Sequence, residues 1–354
     1  MARPRLFAGW RGLGLFWAGL VVVLAAGAGT LQMLGPPPPR PVKVAVAVAP
    51  PVAPAIPKPV VQAPPKPKPP PNDQPGRDTP GPVSDPDPGL LEPAPGVSSA
   101  GSVPIIAMDG RMPMQVYAAG FDRSSQRPRV GLIVAGIGLS DAESTAAIRS
   151  LPGGISLAIS PYAVAPGKIL SLARMAEHEY LLSVPMEPQG YPNNDPGPHA
   201  LMTNLTPAQN LERLNWVLAR VGGYAGVTGA LGGMRGERFE AMSDELDPVL
   251  AEIGGRGLYW IDTRPGTGPM PKVWSRAIDL VIDEPASQAN IDAKLDQLAS
   301  LAQDRGVALG LATAPRPVTV DRIAAWTNGL TARGLALAPV SALLRPPAKK
   351  EVAE

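Results

Sequence analysis

Short apolar runs bounded by glycine or proline alternate, from Arg129 onward, with stretches in which apolar residues recur every third or fourth position. The first run is "RVGLIVAGIGLSDAE", Arg129–Glu143. Val130, Leu132, Ile133 and Val134 read as a buried strand and Gly136 with Gly138 as a turn. Ser140 with Glu143 reads as a Ser-x-x-Glu capping box that starts a helix. Further strands are expected at Ile155–Ser160, Tyr180–Pro185, Gly257–Asp262, Ala277–Ile282, Val307–Ala314 and Leu335–Val340. Between them the spacing predicts helices over Lys168–Glu177, from Thr206, from Ser243, through Ile291–Ala302 and over Thr319–Arg333. Thr206 is a cap with Pro207 at the first helical position and Gln209 reaching back. The stripe Leu211, Leu214, Leu218 and Val221 buries one face of that helix, and Leu246, Val249, Leu250 and Ile253 bury one face of the next. Gly254 and Gly306 stop helices. Near-continuous apolar strands alternating with amphipathic helices define a parallel sheet covered by helices. Seven or eight such units in roughly 220 residues suit a barrel better than a short open sheet.

Composition changes the picture at the N-terminal end. More than half of the 46 prolines lie between Pro36 and Pro104. Proline at that density blocks helix and sheet ladders alike, so residues 35–104 are expected to be an extended spacer. Its Pro/Lys alternation at Pro64–Pro71 also fits a proline-recognising partner. Ahead of it, Gly12–Leu34 carries no charged residue and follows Arg3, Arg5 and Arg11. At 1.5 Å per residue this segment would reach about 34 Å, enough to cross a bilayer core. The expected organisation is a cytoplasmic stretch at 1–11, a transmembrane anchor at 12–34 and an exported remainder, that is, a single-pass inner-membrane protein with its C-terminal domain in the periplasm. A cleaved signal peptide is the competing reading, with Ala26–Ala28 as the cleavage site. Residues 105–128 form a lead-in, 129–345 the domain and 346–354 a tail.

Charge and cysteine content narrow the function. A net charge of +2, with no Lys/Arg run interleaved with aromatics, points away from nucleic acid. The chain has no cysteine, which removes disulfides, cysteine-based zinc sites and thiol catalysis together. "GIGLSD" lacks the third glycine of a dinucleotide fingerprint, and neither a P-loop nor a Gly-x-Ser-x-Gly elbow is present.

Catalytic side chains of α/β enzymes project from strand ends, and the first strand here ends on Ala135 and Gly136, which carry no chemistry. Polar candidates stand elsewhere. Glu187 follows "SVPM", and Asp262 closes "LYWID" with Arg264 close behind. The loop Gly229–Phe239 carries Arg235, Glu237 and Arg238 among glycines, a composition suited to gripping a carboxylate or phosphate. Asp262 and Arg264 could equally pair with each other and hold the rim together. His178 reads as a structural residue at a helix end, and His199, in "YPNNDPGPH", as the better functional candidate.

The run "HEYLLSVPMEPQGYPNNDPGPHAL", His178–Leu201, resembles the divergent polysaccharide deacetylase family, and "RVGLIVAGIGLS", "RGLYWIDTR" and "LAPVSALL" follow that family's strand order. The resemblance spans about Arg129–Leu344 and implies a deformed seven-stranded (β/α) barrel. It also implies a divalent metal held by an aspartate and two histidines, activating water against an acetamido group. At the corresponding positions stand Ala135–Gly136, Ser183, Ala230 and Ala314, leaving Glu187 and Asp262. Two carboxylates on different strands are too few for a divalent ion. No metal and no cofactor are therefore expected.

Two functional readings follow. One is a non-catalytic family member that binds cell-envelope glycan or a cell-wall-remodelling protein through Glu187, Tyr191, His199, Arg235, Arg238, Asp262 and Arg264, with Trp260 as a further stacking face. The other is an active deacetylase or hydrolase with a rearranged site in which Asp262 or Glu187 is the general base.

Overall fold

The structure, a computed structural model, describes residues 17–18, 20–21, 82–95 and 101–348. The chain divides into two units, Met1–Pro65 and Lys66–Glu354. Of the first, only Trp17, Ala18, Leu20 and Val21 are described, all helical and exposed. The expected anchor at Gly12–Leu34 otherwise lies outside the described residues, among which no helix is long and apolar enough to cross a membrane. Most of the spacer and the end of the tail also lie outside them.

The second unit is built on a curled sheet in which every ladder is parallel. Its central strand is β3 (Arg129–Ile137), whose run of apolar residues is buried from Val130 to Ile137. On one side follow β4 (Ser156–Ile159), β5 (Tyr180–Ser183), β6 (Gly226–Thr228), β7 (Tyr259–Asp262) and β8 (Ser275–Ala277). On the other lie β10 (Val307–Ala312) and, beyond it, β9 (Leu280–Val281), while β11 (Ala336–Leu337) pairs with the start of β3. The strand number exceeds the seven expected because several strands are only two or three residues long. The curled, half-barrel form is that of a (β/α) barrel.

Two differences from the expected strands have physical causes. Ala277–Ile282 is not one strand, because Asp279 interrupts the apolar run. Its carboxylate accepts from the Leu309 N–H at 2.8 Å and from Arg276 at 2.8 Å. That anchoring turns the chain from β8 at one edge of the sheet to β9 at the other. β6 escaped notice because it is three residues long and lies among glycines, where Gly226 leaves room for the Tyr259 ring.

Helices cover the convex face: α2 (Asp141–Ser150), α3 (Pro166–Met175), α4 (Pro207–Leu218), α6 (Ser243–Gly255), α7 (Gln288–Arg305) and α8 (Pro317–Thr327). Thr206 and Gln209 make the expected capping box, and Gly306 ends α7 in a left-handed conformation at φ 77°. Alternation along β3 divides the core. Val130, Leu132 and Val134 pack with the helices, whereas Ile133 and Ala135 face the interior beside Leu181, Ile261, Leu309 and Leu311. Gly131 is on the interior side, and a β-carbon there would collide with Leu343.

The interior is filled by segments that precede and follow the repeated units. α1 (Pro113–Val116) and the lead-in supply Met114, Tyr117, Ala119 and Phe121, and the turn Val340–Leu343 closes the opposite side. Glu179, fully buried, ties these together. It accepts from the Ala119 N–H, the Tyr259 hydroxyl and the Ser341 N–H at 3.2, 2.7 and 3.0 Å. Burial pushes its carboxyl above the ordinary range. His178 is also fully buried, its ring held between the carbonyls of Ile155 and Ile148.

The expected spacer boundary at Pro104 is corrected by the strand pair β1 (Leu91–Pro93) and β2 (Ser102–Pro104). Leu90 and Val103 are fully buried, and Arg256 reaches both Glu92 and the Pro104 carbonyl at 3.1 Å. Proline density misled here because the prolines stand at strand ends and turns, where no ladder donor is lost.

Candidate functional site

The C-terminal ends of the strands converge on a mouth, and β3 reaches it through a bulge. Its register against β4 shifts between Val134 and Ile137, and Gly136 sits there at φ 75°. A β-carbon on Gly136 would lie 3.5 Å from the Pro315 ring and 3.6 Å from the Gly232 α-carbon. Loops after β3, β6 and β10 thus close in on one another where a longer side chain would need space.

Three strand ends carry buried carboxylates, and each is gripped by an arginine. After β5, Glu187 is 3 % exposed. Its Oε2 accepts from the Thr203 N–H and hydroxyl, both at 2.7 Å, and its Oε1 meets Arg238 at 3.0 Å. At the end of β7, Asp262 is 1 % exposed. Arg264 donates to it from Nε at 3.0 Å, from Nη2 at 2.7 Å and from its own backbone N–H at 2.8 Å, a bidentate fork. Past β9, Asp283 accepts from the Thr313 N–H at 2.8 Å and from Arg316 at 3.1 Å.

A fourth carboxyl lies beneath them. Glu240, at the end of the short α5 (Glu237–Glu240), is fully enclosed and accepts from the Thr263 hydroxyl at 2.7 Å. Burial, together with the neighbouring charge of Asp262, holds its carboxyl well above the ordinary range. Its Oε1 meets no hydrogen-bond partner. The spacing of Glu240 within "ERFE" gave no sign of Asp262 as a neighbour. Asp283, by contrast, follows an apolar strand as Glu187 and Asp262 do, and the same strand-end rule would have found it.

The remaining candidates are arranged differently. Arg235 bridges Glu237 at 2.9 Å and Glu284 at 2.7 Å, and its carbonyl accepts from Thr263. Arg238 exposes about half of its side chain (55 %). Tyr191 is exposed on the loop after β5. His199 stacks on Trp216, with ring centroids 3.5 Å apart and planes 8° from parallel, and Arg220 lies over the same indole at 4.9 Å. Partial burial and the charges of Arg213 and Arg220 lower the His199 pKa. Trp260 is fully enclosed among the core residues, so it offers no stacking face.

The fold and this mouth define a curled, parallel (β/α) half-barrel whose polar floor is built from arginine–carboxylate pairs. Residues 132–344 match the divergent polysaccharide deacetylase family, so the chain belongs to that family. It is similar to the crystal structure of an uncharacterized protein from Agrobacterium tumefaciens C58. The two are 32 % identical with a TM-score of 0.63, over 69 % of this chain and 99 % of the other. No curated protein matches it.

The metal of related deacetylases does not fit these residues. Ala135, Gly136, Ala230 and Ala314 supply no ligand atom, and no three His, Cys, Asp or Glu side chains converge among the described residues. The oxygens of Glu187 and Asp262 are already taken by guanidinium groups, hydroxyl and backbone donors. What this mouth can offer is the exposed part of its arginine side chains.

Proposed function

We propose that this protein is a non-catalytic member of the family, anchored in the inner membrane through Gly12–Leu34, with a periplasmic domain that binds cell-envelope glycan or a cell-wall-remodelling protein. The observation that carries this reading is the arginine clamp on each strand-end carboxylate. A general base must present a lone pair to substrate or water, and the Asp262 oxygens are directed into Arg264 at 1 % exposure. The partly exposed guanidinium groups of Arg238, Arg264 and Arg316 retain donors that suit the hydroxyl, acetamido and carboxylate groups of a glycan. Isothermal titration of the purified chain with peptidoglycan fragments tests this. Saturable binding weakened by Arg238→Ala is expected, and no binding to glycan or envelope proteins refutes it.

One observation favours an active, rearranged site. The buried Glu240 carboxyl, raised by burial and by the charge of Asp262, stands beside a second carboxyl, a neighbourhood that acid–base catalysis uses. Acetate release from acetylated glycans, assayed with and without added Zn²⁺, separates the readings. Turnover abolished by Asp262→Ala would establish the second.

A further inference from the structure

The curled sheet has a seam. β8 and β9 follow each other in the chain yet lie at opposite edges of the sheet, joined by Ile278 and Asp279. At this seam lies a cleft of about 150 Å³, lined among others by Arg276, Arg305, Arg345, Asp279 and Thr267.

Its charges do not balance. Among the described residues Asp279 is the only acidic residue in the lining, and its carboxylate is already shared by Arg276 at 2.8 Å, Arg305 at 3.4 Å and the Leu309 N–H. Arg345 is drawn to the cleft by the backbone pairing of its own residue with Ser275, at 2.9 and 3.0 Å, and its side chain faces no carboxylate among the described residues. Arg276 is the telling residue. Its side chain is 7 % exposed, yet its buried Nε meets no acceptor. A buried, unsatisfied charged donor is costly, and a water, an ion or a ligand is what would complete it. Burial, and the charges of Arg345 and Arg305, depress the Arg276 guanidinium below its ordinary range against the single opposing pull of Asp279.

From this geometry we infer that the seam is a binding site for a phosphate-class oxyanion, separate from the mouth. Three guanidinium groups reach the cleft from different elements: Arg276 from β8, Arg305 from the end of α7 and Arg345 from the segment paired with β8. Three forks supply more donors than the two oxygens of a carboxylate can accept, whereas a tetrahedral oxyanion presents an oxygen to each. The bound anion would bridge β8 to the segment before β10 at the place where no strand ladder holds them.

The test is a titration of the purified full chain with inorganic phosphate, followed by calorimetry and by ³¹P line broadening, with chloride at matched ionic strength as the control. Saturable binding is expected. Arg345→Gln and Arg305→Gln should each weaken it about 10- to 100-fold, the loss of one charge-assisted contact. Both side chains are outside the core, and circular dichroism checks that the variants fold. Arg238→Gln, at the mouth, should leave phosphate affinity unchanged. Glucose 1-phosphate, compared with glucose, distinguishes the two sources of the anion: equal affinity for the sugar phosphate assigns it to a larger ligand, and binding of inorganic phosphate alone assigns a free ion. No saturable binding, or binding unaltered in both seam variants, overturns the inference.

Discussion

Arg264→Ala removes the contact on which the reading of the mouth rests, together with a longer approach of the same guanidinium to Glu240 at 3.7 Å. The substitution deletes two charge-assisted hydrogen bonds, at 3.0 and 2.7 Å, from a carboxylate that is 1 % exposed. Each such bond contributes about 1.5–3 kcal/mol, so the upper bound is about 6 kcal/mol. The Arg264 side chain is 28 % exposed, so solvent already screens part of the pair and water can replace part of what is lost. Removing one partner of a buried pair costs about 3–5 kcal/mol, and the screened figure lies at the bottom of that range, about 3 kcal/mol. With a urea m-value of about 2–3 kcal/mol/M, the unfolding midpoint should fall by about 1–1.5 M. Circular dichroism across a urea series reads this directly. Asp262→Ala and the double variant complete a cycle whose coupling energy should exceed about 1.5 kcal/mol. A midpoint shift below about 0.3 M, or a coupling near zero, would mean that Arg264 merely rests on the carboxylate and that Asp262 is available for chemistry.

Glu240→Gln should change how stability depends on pH. The folded-state pKa of Glu240 is raised by burial and by Asp262, so the folded chain holds a proton that the unfolded chain releases above about 4.5. Stability from this group is therefore lost as pH rises from the unfolded value through the folded one. Gln carries no such loss, and the melting temperature of the variant should fall less than that of the parent between pH 4 and 8. Identical slopes would remove the proton from Glu240. Leu90→Ala should cost about 2–4 kcal/mol in the same urea assay, as for a fully buried leucine, whereas a leucine in a solvated spacer would cost nothing. His199, stacked on Trp216, should quench indole fluorescence on protonation with a midpoint below 6.5, because partial burial and the two arginines disfavour the imidazolium. The transition should vanish in His199→Ala, and its persistence would assign it to another group.

The repeated units were legible because their signals are local. Helix stripes, caps and apolar runs each fall within a few turns of chain, and Thr206–Gln209 or Gly306 mean the same thing in any fold. Reading failed where an element's partner lies far along the chain. Leu90 is an unremarked residue in a proline-rich stretch until the interior surface that buries it is known. Asp279 looks like one polar residue in a strand, yet it is what turns the chain across the seam. At the mouth, the absence of ligands at Ala135, Gly136, Ala230 and Ala314 was legible only against the family's pattern, because the residues themselves do not mark a ligand position. The use made of the remaining carboxylates could not be read in the same way. Arg238 and Glu187 lie on different loops, as do Arg316 and Asp283, and only the curl of the sheet brings them together. On the non-catalytic reading proposed above, those pairs supply a physical reason for the scaffold to persist without a metal. Each strand-end carboxylate is buried, and an arginine from a surrounding loop provides its compensating charge. If the proposed reading holds, guanidinium donors partly exposed at the mouth are the chemistry of a surface that binds rather than cleaves.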